Sequence, residues 1–207
     1  MPPFCRAYLS RTATLPLLLA CVALSAFAQR GAVTTHQSLD QMVQEADTIV
    51  QGSVLSAKVE PHPQLQNLTT VLVTLDVHDT LKGTTGKTFQ FRQYVWDIRD
   101  KLDASRYAKG QEVLLLLTHP SQYGLSSPVG LEQGRFQVVY EKGQATAVNG
   151  KGNAALFANT AVRAKASNLK LSERTKRLIV SQISGPVPLD DLKAAIRNLQ
   201  GINVKAQ

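Results

Sequence analysis

This chain of 207 residues has two cysteines, Cys5 and Cys21, and both fall within its first 28 residues. The rest has none, which excludes disulfides, thiolate metal sites and a cysteine nucleophile there. Histidine is nearly as scarce. His36, His62, His78 and His119 never stand three or four residues apart, and no H-E-x-x-H occurs. Without that spacing the sequence nominates no metal site, and the four read as exposed surface side chains. No G-x-S-x-G and no phosphate-cradling glycine loop is present. No catalytic residue and no cofactor is therefore nominated. Acidic residues are the minority, 15 against 23 basic ones, for a formal net charge of +8. Asp97, Asp100 and Asp103 recur every third residue, but Arg99 and Lys101 interleave with them. The central glycine of a calcium loop is missing, so the segment reads as self-paired charge.

What is present begins with an export signal. Arg6 and Arg11 precede an apolar run from Leu15 to Ala26, and Ala26-Phe27-Ala28 fits the small-x-small cleavage pattern. Residues 1–28 are expected to be a signal peptide with Gln29 as the first mature residue. The run is too short to read as a membrane span. A rival reading takes Leu18-Leu19-Ala20-Cys21 as a lipoprotein signal that acylates Cys21; the apolar residues that continue past Cys21 favour cleavage after Ala28. The expected location is secreted or periplasmic, with no transmembrane segment in the mature chain. Removing 28 residues leaves 179, enough for one domain with a core of its own. Removing Arg6 and Arg11 leaves 21 basic residues against 15 acidic ones, a net +6. Such a charge suits an anionic membrane, an envelope polymer or an acidic protein. Export makes nucleic acid the poorest fit, and a merely soluble basic protein has the same composition.

Alternation carries the fold class. Val71, Val73, Leu75 and Val77 take every other position, with Thr70, Leu72, Thr74, Asp76 and His78 between them. Successive strand side chains face opposite ways, so this is a half-buried antiparallel strand. Thr48 to Val59 reads as the strand before it, with Gly52 marking a bulge or a close approach. Thr88 to Val95 alternates again. Glu112 to Thr118 holds five apolar residues in a row, the pattern of a strand buried on both faces at the centre of a sheet. Gly130 to Glu141 and Ala145 to Val148 form a last hairpin before the turn at Asn149-Gly150. Helical spacing appears three times. Ser38 and Gln41 form a capping box before Leu39, Met42 and Val43. Leu171 to Ile183 carries a modest apolar stripe. Pro188 to Gln200 has Leu189, Leu192, Ile196 and Leu199 on one face, Asp190 and Asp191 in the first turn, and Gly201 after the last. From Asn153 to Ser167 no period is visible.

These landmarks resemble an uncharacterised group of bacterial secreted proteins. The residues that carry the likeness are Ala46-Asp47 before IVQGSV, Leu81-Lys82-Gly83, KGQEVLLLL at Lys109 to Leu117, GLEQGRFQV at Gly130 to Val138, and PLDDLKAAIRNL at Pro188 to Leu199. More distantly, Ala46 to Leu117 resembles the netrin-like domain of tissue inhibitors of metalloproteinases. That resemblance implies an OB-like five-stranded Greek-key barrel and, by fold analogy alone, a protease-inhibitor role. The inhibitors act through an N-terminal cysteine, which a mature chain starting at Gln29 lacks.

The expected architecture is mainly β, an α+β chain. Residues 29–152 form an OB-like barrel domain with a short N-terminal helix, and residues 153–207 a helical segment with two helices. The expected function is a non-enzymatic binding or interaction module, with a hydrolase of unrecognised site as the alternative. Aromatic and arginine side chains gather at Arg92, Tyr94, Trp96, Arg99 and Arg106, the composition of an interface core, here for another envelope or secreted protein. Capping of the barrel end explains Trp96 equally well. A second patch, Arg163, Lys165, Lys170, Arg174, Lys176 and Arg177, suits an anionic membrane or envelope polymer, against the plainer reading of a solvated basic segment.

Overall fold

The computed structural model describes residues 34–95 and 107–201. All but Thr34 belong to Thr35–Gln207, one of two compact units, the other being Met1–Thr34. The elements run α1 (Leu39–Glu45), β1 (Thr48–Pro61), β2 (Thr69–Lys82), β3 (Thr88–Tyr94), β4 (Glu112–Leu117), a 3-10 turn (Leu131–Gln133), β5 (Arg135–Glu141) and β6 (Gln144–Asn149). Then follow α2 (Thr160–Ala166), α3 (Glu173–Ser181), β7 (Val187–Pro188) and α4 (Leu189–Leu199). The seven strands make one antiparallel sheet in the order β3-β2-β1-β4-β5-β6-β7. No helix among the described residues is long and apolar enough to cross a membrane.

The chain is mainly β, as its alternation implies, but the sheet is open. A five-stranded closed barrel was the expectation. Instead β3 and β7 are the two end strands of an open sheet, because the β5–β6 hairpin and the two-residue β7 extend it beyond β4. A barrel closes only when its first and last strands share a ladder. Pro188 sits on the edge, where its missing N–H is harmless. Among the described residues three helices follow β6 rather than two. The unforeseen one, α2, is preceded by turns with Asn153, Ala155 and Asn159 at positive φ, which erase the helical period in the sequence.

β4 is the middle strand and is buried on both faces, as its apolar run predicts. Leu114 and Leu116 join a large core with Phe136, Val138, Ala147 and the apolar faces of α1 and α4. Val113, Leu115 and Leu117 join a second core with Val50, Val54, Val71, Val73, Leu75 and Phe91. The first core is roofed by helices. On α4, Leu189, Leu192, Ala195, Ile196 and Leu199 are all buried, spaced three and four apart. On α1, the Ser38 backbone N–H donates to Gln41 Oε1 at 3.0 Å, the capping box foreseen in the sequence. Lys82 Nζ donates to the carbonyls of Val43 and Gln44 at 2.8 and 3.2 Å and so caps the far end of α1. The C-terminal helices therefore share a core with the sheet.

The second core needs curvature. β2 carries two extra residues opposite β1: Gln51 pairs with Asp79 and Gly52 with Val77, skipping His78, while Ile49 pairs with Lys82 and Val50 with Thr80, skipping Leu81. Such bulges bend a ribbon and increase its twist. Gly52 permits the first of them, since a Cβ there would stand 2.2 Å from the Asp76 carbonyl oxygen. The curled ribbon β1–β2–β3 encloses its own apolar lining.

Candidate functional site

The curled ribbon ends in two loops that lock together. One, residues 62–68, joins β1 to β2. The other, residues 118–130, follows β4. His62 is buried between them, 3% exposed. Its Nδ1 accepts the N–H groups of Gln64 and Leu65, both at 3.2 Å. Nε2 is therefore the donor, and it reaches the Tyr123 carbonyl at 2.8 Å. The Tyr123 ring stands edge-on to the imidazole, centroids 6.5 Å apart. The sequence reading of an exposed surface histidine is corrected here: the prolines on either side turn His62 inward as a lock. Tyr123 and Leu65 keep apolar surface in solvent, 44% and 36% exposed.

The second loop is held by its own polar side chains. Ser121 Oγ accepts from the N–H groups of Tyr123 and Leu125 at 3.3 and 3.2 Å, and Gly124 takes the positive φ the turn requires. Leu125 makes a parallel bridge with Arg92, and Pro128 an antiparallel one with Leu117. The Ser126 N–H donates to the Arg92 carbonyl at 2.8 Å, and the Thr118 N–H to the Ser127 carbonyl at 2.9 Å. One short run of chain thus touches the outer edge of β3 and the end of β4.

Of the nominated aromatic and arginine cluster, Arg92 and Tyr94 fall at this end. Arg92 is half-buried and tied down: Nη1 donates to Thr70 Oγ1 and Nη2 to Glu60 Oε1, both at 2.8 Å. Its charge is matched locally, which makes it a clamp across β1, β2 and β3. Tyr94 lies opposite Thr70 in the β2–β3 ladder. Trp96, Arg99 and Arg106, and with them the aspartates of that segment, lie outside the described residues.

A second polar cluster sits on the helix-side face of the sheet, and sequence reasoning missed it. Ser53 on β1 pairs across the ladder with Glu112 on β4. The bulge brings His78 alongside. His78 Nδ1 lies 2.9 Å from Glu112 Oε1, and His78 Nε2 lies 3.3 Å from Ser53 Oγ. Ser53 Oγ also donates to Glu112 Oε2 at 2.9 Å, and Gln51 Nε2 to Oε1 at 2.8 Å. Burial raises the Glu112 carboxyl, but the bonds from Gln51, Ser53 and His78 outweigh it and hold the group below its ordinary value. From Gln51 the network continues to Lys193 on α4 at 2.8 Å, and Lys193 and Arg197 both pair with Asp79 at 2.5 and 2.8 Å. Three residues at positions 53, 78 and 112 carry no spacing signal. Only the bulge at Gly52, visible as a glycine in a strand, hinted at the meeting point.

The basic patch divides. Arg163 turns inward to Asp40, which is fully buried: Nη2 donates to Oδ1 at 2.8 Å, and Thr160 and Ser38 add bonds to the same oxygen at 2.7 and 2.8 Å. Desolvation raises Asp40, yet these bonds from Arg163, Thr160 and Ser38 prevail and depress it. Arg174 pairs with Asp191, and Lys176 with Glu173 at 2.7 Å. Lys165, Lys170 and Arg177 are exposed. Among the described residues no three His, Cys, Asp or Glu side chains converge as a metal ion requires. A shallow hollow beside β4 is lined by Gln111, Val113, Arg135, Gln137 and Val148. Its single ionisable group, Arg135, lies 5.4 Å over the Tyr107 ring and bonds Glu132 at 2.7 Å. Compared with known proteins, the chain matches no family model, no curated protein and no solved structure.

Proposed function

We infer that this chain is an exported, non-enzymatic binding module that takes its partner at the loop end of the curled ribbon. The observation that carries the reading is the pair of bridges Arg92–Leu125 and Leu117–Pro128. They set a short fifth segment between β3 and β4, beside the meander β1–β2–β3. That is the neighbour relation of an OB-like Greek-key barrel, whose β1–β2 and β4–β5 loops are a common binding surface. The two loops here are the ones His62 locks together, and they expose Tyr123 and Leu65. Exposed aromatic and apolar side chains on such loops suit an interface core. The N-terminal segment with Arg6, Arg11 and its apolar run supports export. A protease-inhibitor role is the narrower form of the reading and rests on fold analogy alone.

The test is capture from envelope and secreted extract of the source organism with tagged full chain, followed by binding of the purified partner to Tyr123→Ser/Leu65→Ser. The reading expects a partner whose affinity falls at least about tenfold in that variant, the loss of two anchoring side chains. A partner bound equally well by the variant sinks it.

One observation favours a second reading, a hydrolase. Ser53, His78 and Glu112 connect in the order nucleophile, base and orienting carboxylate. Two features weigh against it. The Ser53 hydroxyl also donates to Glu112 directly, and β1 is paired on both sides there, which leaves its amides in ladders instead of an oxyanion hole. Labelling with a fluorophosphonate decides it. Stoichiometric labelling abolished by Ser53→Ala establishes the hydrolase, and no labelling discards it.

A further inference from the structure

Three β-branched side chains stand in solvent on the helical layer. Val162 on α2 is 63% exposed, Val180 on α3 is 83% exposed, and Ile183, just past α3, is 80% exposed. A lone exposed valine is ordinary; the cations around these set them apart. Val162 and Lys165 are three apart on α2, and Arg177 and Val180 are three apart on α3, so each pair shares a helix face. Lys170 lies in the link between the helices. The opposite faces point into the protein: Thr160 and Ala164 on α2, and Thr175 and Leu178 on α3, are buried. The Ala155 N–H donates to the Ile183 carbonyl at 3.2 Å, which ties the run into α2 to the end of α3. Arg163, Arg174 and Lys176 have carboxylate partners, whereas Lys165, Lys170 and Arg177 form no salt bridge among the described residues.

We propose that this outer face of α2 and α3 docks on an anionic lipid bilayer. Cations without a salt bridge beside apolar tips are the two attractions an interfacial helix uses, charge toward the headgroups and apolar burial at the acyl boundary. The formal net charge of +8 acts in the same direction. Exposed apolar tips among cations suit a soft surface that can yield around them. A folded protein partner needs a complementary interface of about 1,000 Å² or more, and three tips and three cations supply little of it. The inference does not rest on the loop-end reading.

The test is co-sedimentation of the full chain with phosphatidylcholine vesicles, with and without phosphatidylglycerol. Each cation near an anionic leaflet strengthens binding about fivefold, so the three together favour anionic vesicles about a hundredfold, an advantage that high salt removes. Lys165→Glu/Lys170→Glu/Arg177→Glu is expected to abolish that preference. Val180→Ser/Ile183→Ser is expected to weaken anionic binding at least about tenfold, because the apolar tips no longer enter the leaflet. The N-terminal apolar segment is common to all three proteins and cancels in the comparison. Unchanged circular dichroism and thermal midpoint confirm folding, since every altered side chain is exposed. Equal binding to both vesicle types, or undiminished anionic binding by either variant, overturns the proposal.

Discussion

The helix-covered face of the sheet and the curled loop end are held by different kinds of contact. Beneath the helices, residues more than a hundred positions apart meet. Asp40 binds Arg163 and Thr160, and Gln51 binds Lys193. At the loop end many polar contacts are to backbone and close in sequence, His62 to Gln64 and Leu65, Ser121 to Tyr123 and Leu125, and the longer ones, His62 to Tyr123 and Arg92 to Glu60, span 61 and 32 positions. The first kind is lost only when the whole core opens. The second can be lost locally, and regions of that sort open at low free energy. The chain has a fixed half and an adjustable half, and the proposed binding surface sits on the adjustable one.

The sharpest way to break this contrast is Arg163→Ala. It leaves the Asp40 carboxylate buried without its main partner, which costs about 3–5 kcal/mol and is read from the denaturant midpoint. Arg92→Ala at the loop end is expected to cost about 1–2 kcal/mol, because Glu60 remains partly in water. Equal losses in the two variants would erase the distinction between the halves. The Asp40 pair also has a pH signature. Its folded value lies below the ordinary 3.8, so the unfolded chain binds this proton more tightly. The stabilisation is complete above the ordinary value and is lost as pH falls through the depressed one. Asp40→Asn is expected to flatten that acid limb of a stability–pH curve.

Gly52→Ala acts on the junction between the halves. Its Cβ would meet the Asp76 carbonyl at 2.2 Å, a backbone atom that cannot swing aside. Relieving the clash means shifting the bulge, at about 1–3 kcal/mol. The same shift carries His78 away from Glu112, so the His78 ring resonances are expected to move in an NMR spectrum. A loss of stability with His78 unmoved would separate the bulge from the polar cluster.

The sequence made some of this plain and hid the rest for physical reasons. Val71, Val73 and Leu75 alternate because one side of β2 faces a core, and the run from Val113 to Leu117 is apolar throughout because both sides of β4 do. α4 shows its stripe because that face is buried against the sheet and α1. Arg163 looked like one cation in a basic run, since nothing local reveals a partner at position 40. His62 looked exposed because two prolines usually mean a solvated loop, and its lock depends on Tyr123, a contact made only when the chain curls. β7 has two residues, too few for any period. The closed five-stranded barrel that the netrin-like resemblance implies left no mark in the pattern of β5 and β6, which extend the sheet past β4 and leave it open.

His62→Ala tests the adjustable half directly. It removes the acceptor of two amides and the donor to Tyr123, a net cost of about 1 kcal/mol if water replaces the lost bonds. The larger effect is local. Amide exchange at Gln64, Leu65 and the residues around Tyr123 is expected to accelerate, while exchange on β4 stays as it was. Acceleration that spreads to Leu114 and Leu116 would mean that the loops and the helix-covered core open as one unit.

The smallest expected effect is that of Lys176→Ala. Lys176 meets Glu173 one turn away on α3 at 2.7 Å, and both side chains are largely in water. The carboxyl is lowered first by the hydrogen bond from Lys176 and then by its charge, but solvent screens an exposed pair and holding two long side chains costs entropy. The denaturant midpoint is therefore expected to stay where it is, at low and at high salt. Against Arg163→Ala, on the neighbouring helix, the comparison becomes quantitative: the same type of bond, one buried and one exposed. A clear destabilisation by Lys176→Ala would mean that the outer face of α3 contributes to folding, and that its apolar tips and cations are then not free to serve as a docking surface.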